Sequence, residues 1–198
     1  MNEPDATVAA LIARLAAADA GERERAAGEI FRLGCSAAEP VLKQWFADTE
    51  FRKLVSVRGP LLTVGIAVEP ARFEEIRRRT GQPRLAQAPS DQDGLEFELQ
   101  FPHGGRLDVL TPRDAGAAGA LARFLGRFGP GIQKVECEVR DVNRATELIR
   151  TRFALEPVYP ETRAGAGGTR VNFFLAPAAE GRKVLIELVE VPEAKKEK

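Results

Sequence analysis

Carboxylates and a single lysine recur at every second position of two apolar segments. In LEFELQF (95–101) the apolar set Leu95, Phe97, Leu99 and Phe101 alternates with Glu96, Glu98 and Gln100. In KVECEV (134–139), Val135, Cys137 and Val139 alternate with Lys134, Glu136 and Glu138. A period of two turns the apolar set to a core and throws the polar set onto the opposite face of a strand. The same alternation adds Thr63, Arg106, Asp108, Arg170, Asn172 and Glu187 from the neighbouring apolar runs. Carboxylates gathered on one face can move protons or hold a hard cation, and an ammonium among them can pair with them or polarise a carbonyl. Such a face is either the solvated side of an antiparallel sheet or the lining of a ligand cleft.

The elements that must carry these residues are legible in the same way. From Pro60 onward, strands are expected at 61–68, 95–101, 106–110, 134–139, 169–175 and 183–189, separated by helical stretches near 70–80, 114–127 and 141–153. VGIAV followed by EPARFEEIRRR, and VECEV followed by RDVNRATELIR, are two strand-then-helix units ending in LDVL and IELV. Their offset is about 70 to 80 residues, which makes the region a pair of β-α-β-β-β modules within an α+β class fold. The modules span about 61–112 and 131–190 inside a domain at 60–192, with a linker helix at about 114–127 and a charged tail at 193–198. Composition alone favours the solvated face, and a pocket between equivalent modules, a frequent ligand site, raises the cleft reading against it.

Residues 1–54 differ in character. They are rich in Ala, Leu, Glu and Arg, and Leu11, Ile12, Leu15 and then Ala26, Ile30, Leu33 recur at helical spacing. Helices are expected at about 5–18, 21–33 and 36–48, with Gly34 as a C-cap and Ser36 with Glu39 as a capping box. The stretch from Leu11 to Phe46 resembles a HEAT-type repeat, with Pro40 early in its following helix. A lone repeat cannot bury its own apolar face, so it is expected to dock on the rest of the chain or on a second copy in a homodimer. Trp45, the only tryptophan, reads as its packing anchor.

The whole chain has 198 residues, with 29 Lys and Arg against 29 Asp and Glu. That balance supplies no basic excess for nucleic acid or for an anionic membrane surface. No window approaches the roughly 20 apolar residues of a spanning helix, and the N-terminus lacks the apolar run of a signal peptide. Cys35 and Cys137 form neither a C-x-x-C nor a Cys/His cluster, so no zinc site is expected and a cytoplasmic, bacterial protein is. His103, the only histidine, lies in FPHGG and reads as a turn residue. Arg77, Arg78, Arg79 and Arg84 cluster at a helix end, where they complement the helix dipole or would seat the phosphates of an acyl-CoA.

From TVGIAV, RLDVLTP, ARFLGRFGPGIQKVECEVRDVNRA and GAGGTRVNFFLAPAAEGRKVLIELVEVP, the chain resembles the vicinal oxygen chelate (glyoxalase-like) superfamily, and within it the methylmalonyl-CoA epimerases. The resemblance runs over residues 61–192. It implies a divalent cation chelated by residues of both modules, at positions that here are Thr63, Asp108, Lys134 and Glu187. The family's two histidines correspond to Thr63 and Lys134. A protonated lysine offers three donors and no acceptor, so Lys134 cannot ligate; no metal and no cofactor are therefore expected. Lys134 is expected instead to pair with Asp108 and Glu187.

The leading expectation is a glyoxalase-fold protein without the metal, serving as a small-molecule-binding or structural module. An alternative keeps an acyl-CoA epimerase or related isomerase, with Glu187 and Glu96 shuttling the proton and Lys134 stabilising the enolate. A third makes the helical front a protein-interaction module.

Overall fold

The computed structural model describes residues 3–55, 62–87, 94–101, 105–114, 119–178 and 181–191. Six helices and seven strands follow in chain order: α1 Glu3–Arg14, α2 Ala20–Ala47, α3 Thr49–Leu54, β1 Leu62–Ala67, α4 Pro70–Arg79, β2 Gly94–Gln100, β3 Arg106–Pro112, α5 Ala120–Phe128, β4 Gly131–Glu138, α6 Val142–Phe153, β5 Arg163–Ala164, β6 Arg170–Pro177 and β7 Lys183–Glu190. The strands form one curled sheet in the order β2-β3-β1-β4-β7-β6-β5. The two modules meet through the antiparallel pair β1 and β4, and each flanks that seam with a parallel partner, β3 beside β1 and β7 beside β4. The fold is thus the expected α+β arrangement of paired modules. In the first module, residues near Ala86 run beside β2, with Ala86 N–H donating to Glu96 O, and take the place that β5 has in the second.

Alternation buries one face. Val64 and Ile66 of β1, Phe97 and Leu99 of β2, Leu107 and Val109 of β3, and Val135 and Cys137 of β4 turn to the helices. Phe73 and Ile76 of α4 and Val142, Ala145, Leu148 and Ile149 of α6 meet them there. Phe73 and Phe97 lie 4.8 Å apart between ring centroids. Trp45 is fully buried and packs on Phe51, Phe153 and Phe174, the last edge-on at 5.8 Å.

The front differs from the expected three helices. Asp19 caps α2 by accepting the Glu22 N–H at 2.7 Å, and the helix then runs unbroken for 28 residues through Gly34, Ser36 and Pro40. Gly34 is not a cap. It is buried against β1, where a Cβ would come within 2.6 Å of both Val64 methyl carbons, so the missing side chain serves close approach rather than a turn. The small and apolar face of α2, from Ala26 to Trp45, lies on the sheet, and its core is continuous with that of α4 and α6.

Two glycines of α2 therefore predict opposite outcomes. Gly34→Ala should destabilise by about 1–3 kcal/mol, because Val64 is branched at Cβ and cannot swing aside. Gly28, which is exposed with open space around it, should stabilise the helix by roughly 0.5–1 kcal/mol when changed to Ala. Urea denaturation of the two variants checks both signs; equal effects would mean that α2 does not pack as described.

Candidate functional site

The face of the sheet away from α2, α4 and α6 is concave, and a cleft of about 710 Å³ lies over it, with Leu121 and Arg123 of α5 in its lining. Strand register decides which side chains meet there. Across β2, β3, β1 and β4 one row reads Glu98, Asp108, Gly65, Lys134; the next, across β1, β4, β7 and β6, reads Thr63, Glu136, Glu187, Phe173. The four positions singled out by the family resemblance thus come from the four central strands and converge on the cleft floor. Gly65 makes room for this: a Cβ there would sit 2.6 Å from Lys134 Cγ, so the lysine stem lies directly on the β1 backbone.

The Lys134 ammonium donates to Glu187 Oε2 at 2.6 Å and lies 2.7 Å from Glu136 Oε1. All three side chains are nearly enclosed, at 9%, 7% and 15% exposure for Lys134, Glu187 and Glu136. Asp108 does not make the expected ion pair with Lys134; it hydrogen-bonds Glu136, two residues further along the same strand as Lys134. The signal for Glu136 was present in the sequence, since Lys134 and Glu136 are two apart on one strand and share a face.

Burial pushes Glu187 up, with Glu136 adding to it against the pull of Lys134, to about 8. Burial, then the charge of Glu136 and the hydrogen bond to it, holds Asp108 well above its ordinary value. Burial likewise raises Glu96, which stands beside this group on β2. Glu136 is the exception. Burial acts to raise it, but Lys134 and hydrogen bonds with Asp108, Lys134 and Glu187 outweigh that and hold it below its usual range. Burial opposes the charge on Lys134, yet Glu136, Glu187, Asp108 and Glu96 together raise it well above an ordinary lysine. Near neutral pH the floor therefore holds the Lys134 ammonium against the Glu136 carboxylate, with Glu187 keeping its proton up to about 8 and Asp108 and Glu96 shifted in the same direction.

Above the floor, Arg106 lies 3.7 Å from Glu98 and 3.8 Å from Glu138. Tyr159 stands edge-on to Phe173 at 5.9 Å, and the Arg163 guanidinium covers the Tyr159 ring at 4.6 Å. This aromatic wall had no sequence signal, because Tyr159 sits in a connection between α6 and β5. Arg170 and Asn172 do not line the cleft as expected. In β6 it is Val171 and Phe173 that face it, while Asn172 is buried on the other side with its amide donating to Tyr159 O at 3.3 Å. Two adjacent phenylalanines made that strand's alternation ambiguous, and packing of Phe174 on Trp45 settles it.

Arg77, Arg78, Arg79 and Arg84 lie on and just beyond α4, and none of them lines the cleft. Arg77 donates to Pro83 O at 3.0 Å. His103 falls outside the described residues. Burial pushes the Cys35 thiol up to about 11 and Cys137 to about 12, away from the thiolate form that a nucleophile needs. Among the described residues, no helix is long and apolar enough to cross a membrane.

A curled sheet of two fused modules around a polar cleft defines a glyoxalase-fold protein, and comparison with solved structures gives the family. Methylmalonyl-CoA epimerase from Mycobacterium tuberculosis shares 32% identity over 66% of this chain and 87% of its own, with a TM-score of 0.54; the chain belongs to this epimerase-containing vicinal oxygen chelate family. A Streptomyces coelicolor methylmalonyl-CoA epimerase variant, solved in complex with 2-nitronate-propionyl-CoA, shares 25% identity over 65% of this chain and 94% of its own, TM-score 0.52. A hypothetical protein from Bacillus halodurans C-125 has the same fold at 21% identity, covering 70% of this chain and 99% of its own, TM-score 0.57. No protein-family model and no curated protein matches the chain.

Proposed function

We propose that the protein is a metal-independent, small-molecule-binding module of the glyoxalase fold, in which the Lys134 ammonium takes the place of the family's divalent cation. One observation carries the reading: Lys134 Nζ stands 2.6–2.7 Å from Glu187 and Glu136, on the floor of the cleft. A divalent ion does not fit that position. The charge of Lys134 would repel it at a few ångströms, and Thr63 supplies no imidazole. Among the described residues, no three His, Cys, Asp or Glu side chains are placed to hold a metal ion. The fixed ammonium would do for the carboxylates what a metal does, neutralising them while leaving the rest of the cleft to a ligand.

The test is thermal melting of the full chain with cobalt, nickel or manganese. An ion that bound the native state selectively, at a hundred times its dissociation constant, would stabilise by about 2.7 kcal/mol. No rise in Tm is expected with any of the three; a clear rise would overturn the proposal.

A further inference from the structure

The two modules repeat one topology but do not present one surface to the cleft. In the first, β2 offers it Glu96 and Glu98; in the second, the counterpart β6 offers Val171 and Phe173. β3 contributes Arg106, Asp108 and Leu110, whereas β7 contributes Leu185 and Val189 around Glu187. Tyr159, edge-on to Phe173, extends this apolar wall, and Val158 and Val191 stand on its rim at 50% and 51% exposure. Half-exposed valines beside aromatic rings leave hydrocarbon in water that an apolar ligand would cover. The charged groups of the floor are engaged with one another: Lys134 with Glu136 and Glu187, Arg106 with Glu98 and Glu138, and Asp108 with Glu136.

The shape of the sheet limits what can reach that wall. The connection after β5 meets the opposite end of the sheet, where the Gly167 N–H donates to Gln87 O at 3.0 Å, and the neighbouring Ala86 N–H donates to Glu96 O of β2. Hydrogen bonds thus close the curl into a ring around a space of about 710 Å³. A space of that size suits a small molecule. A second protein needs roughly 800 Å² of reachable surface on each partner, which a wall inside a ring does not present. Resting on the reading of this cleft as a small-molecule site, we propose that its ligand carries an aromatic or branched hydrocarbon body, which lies on the second-module wall of Tyr159, Val171 and Phe173 with its polar end turned toward the first module. Burial of hydrocarbon against hydrocarbon selects this occupant, and the contact with two rings favours a flat body over a linear one.

Calorimetry on the full chain tests this with uncharged probes that share one head and differ in body: 2-naphthylmethanol, benzyl alcohol and propan-1-ol, with propionyl-CoA as a ligand of small acyl group. We expect 2-naphthylmethanol to bind at least about tenfold tighter than benzyl alcohol, and propan-1-ol and propionyl-CoA to bind more weakly than either. Phe173→Ala should weaken the naphthyl probe by about tenfold. Val158→Asp, at a half-exposed position, should do the same with an unchanged Tm, so the comparison survives if the first variant is poorly folded. Phe128→Ala removes an exposed ring outside the cleft and should change nothing. Affinity independent of the body, tighter binding of propan-1-ol or propionyl-CoA, or a naphthyl affinity untouched by Val158→Asp would overturn the ligand class and leave the small-molecule reading standing. Binding of none of the four would remove both.

Discussion

Replacing Lys134 by methionine is expected to destabilise the protein by about 3–5 kcal/mol at pH 8, the cost of stripping one partner from a buried ion pair. Methionine keeps most of the stem that lies over Gly65, so the loss reports the ammonium rather than the packing. Without it, Glu136 and Glu187 share an enclosed space with only protons to compensate them. The penalty should accordingly shrink toward pH 5, where those protons are easily supplied. Chemical denaturation at the two pH values measures both quantities. A loss below about 1 kcal/mol at pH 8 would assign Lys134 to the solvent-exposed class of ion pairs and dissolve the site as described.

The wild-type protein should lose stability as pH rises from about 5 to about 8, a trend set by groups whose protons are held more tightly in the folded than in the unfolded chain. Glu187 keeps its proton up to about 8 when folded, against an ordinary value of 4.5. Asp108 is shifted in the same direction. In this window the folded state binds more protons than the unfolded one, so stability is complete below the ordinary carboxyl range and drains away as pH climbs through the folded value. Each such proton contributes a slope of about 1.4 kcal/mol per pH unit. Lys134 does not set this window, because its own raised value keeps it charged throughout. Glu187→Gln should flatten the profile. Melting temperatures from pH 5 to 9 give the answer, and a Tm that climbs steadily to pH 8 would be incompatible with a floor of protonated carboxyls.

Much of the sheet was legible because its two faces differ so sharply in polarity. All six strands expected from alternation are present, and β5, at two residues, is too short to leave a pattern. Alternation placed Thr63, Asp108, Lys134 and Glu187 on one face, and the register brings them to one floor. Which carboxylate takes the ammonium was less accessible. Glu136 shares β4 with Lys134 whereas Asp108 lies across β1 on β3, and alternation gives the face of each residue but not the order of the strands across the sheet. In the front, Gly34 followed by Ser36 has the chemistry of a helix end, and only the tertiary contact with Val64 explains why the helix continues.

That unbroken α2 has a consequence for the order in which the molecule is made. It leaves the ribosome before the sheet does, and the strands it packs on include β4, whose residues Val135 and Cys137 are synthesised far later. Until then its apolar face has only α1, α3 and the first-module strands β1 and β3 for cover. Contacts of such long sequence separation slow folding and lengthen the time a nascent chain stays open to aggregation or to chaperones. The helix that stabilises the finished sheet is, during synthesis, the part of the chain most in need of protection.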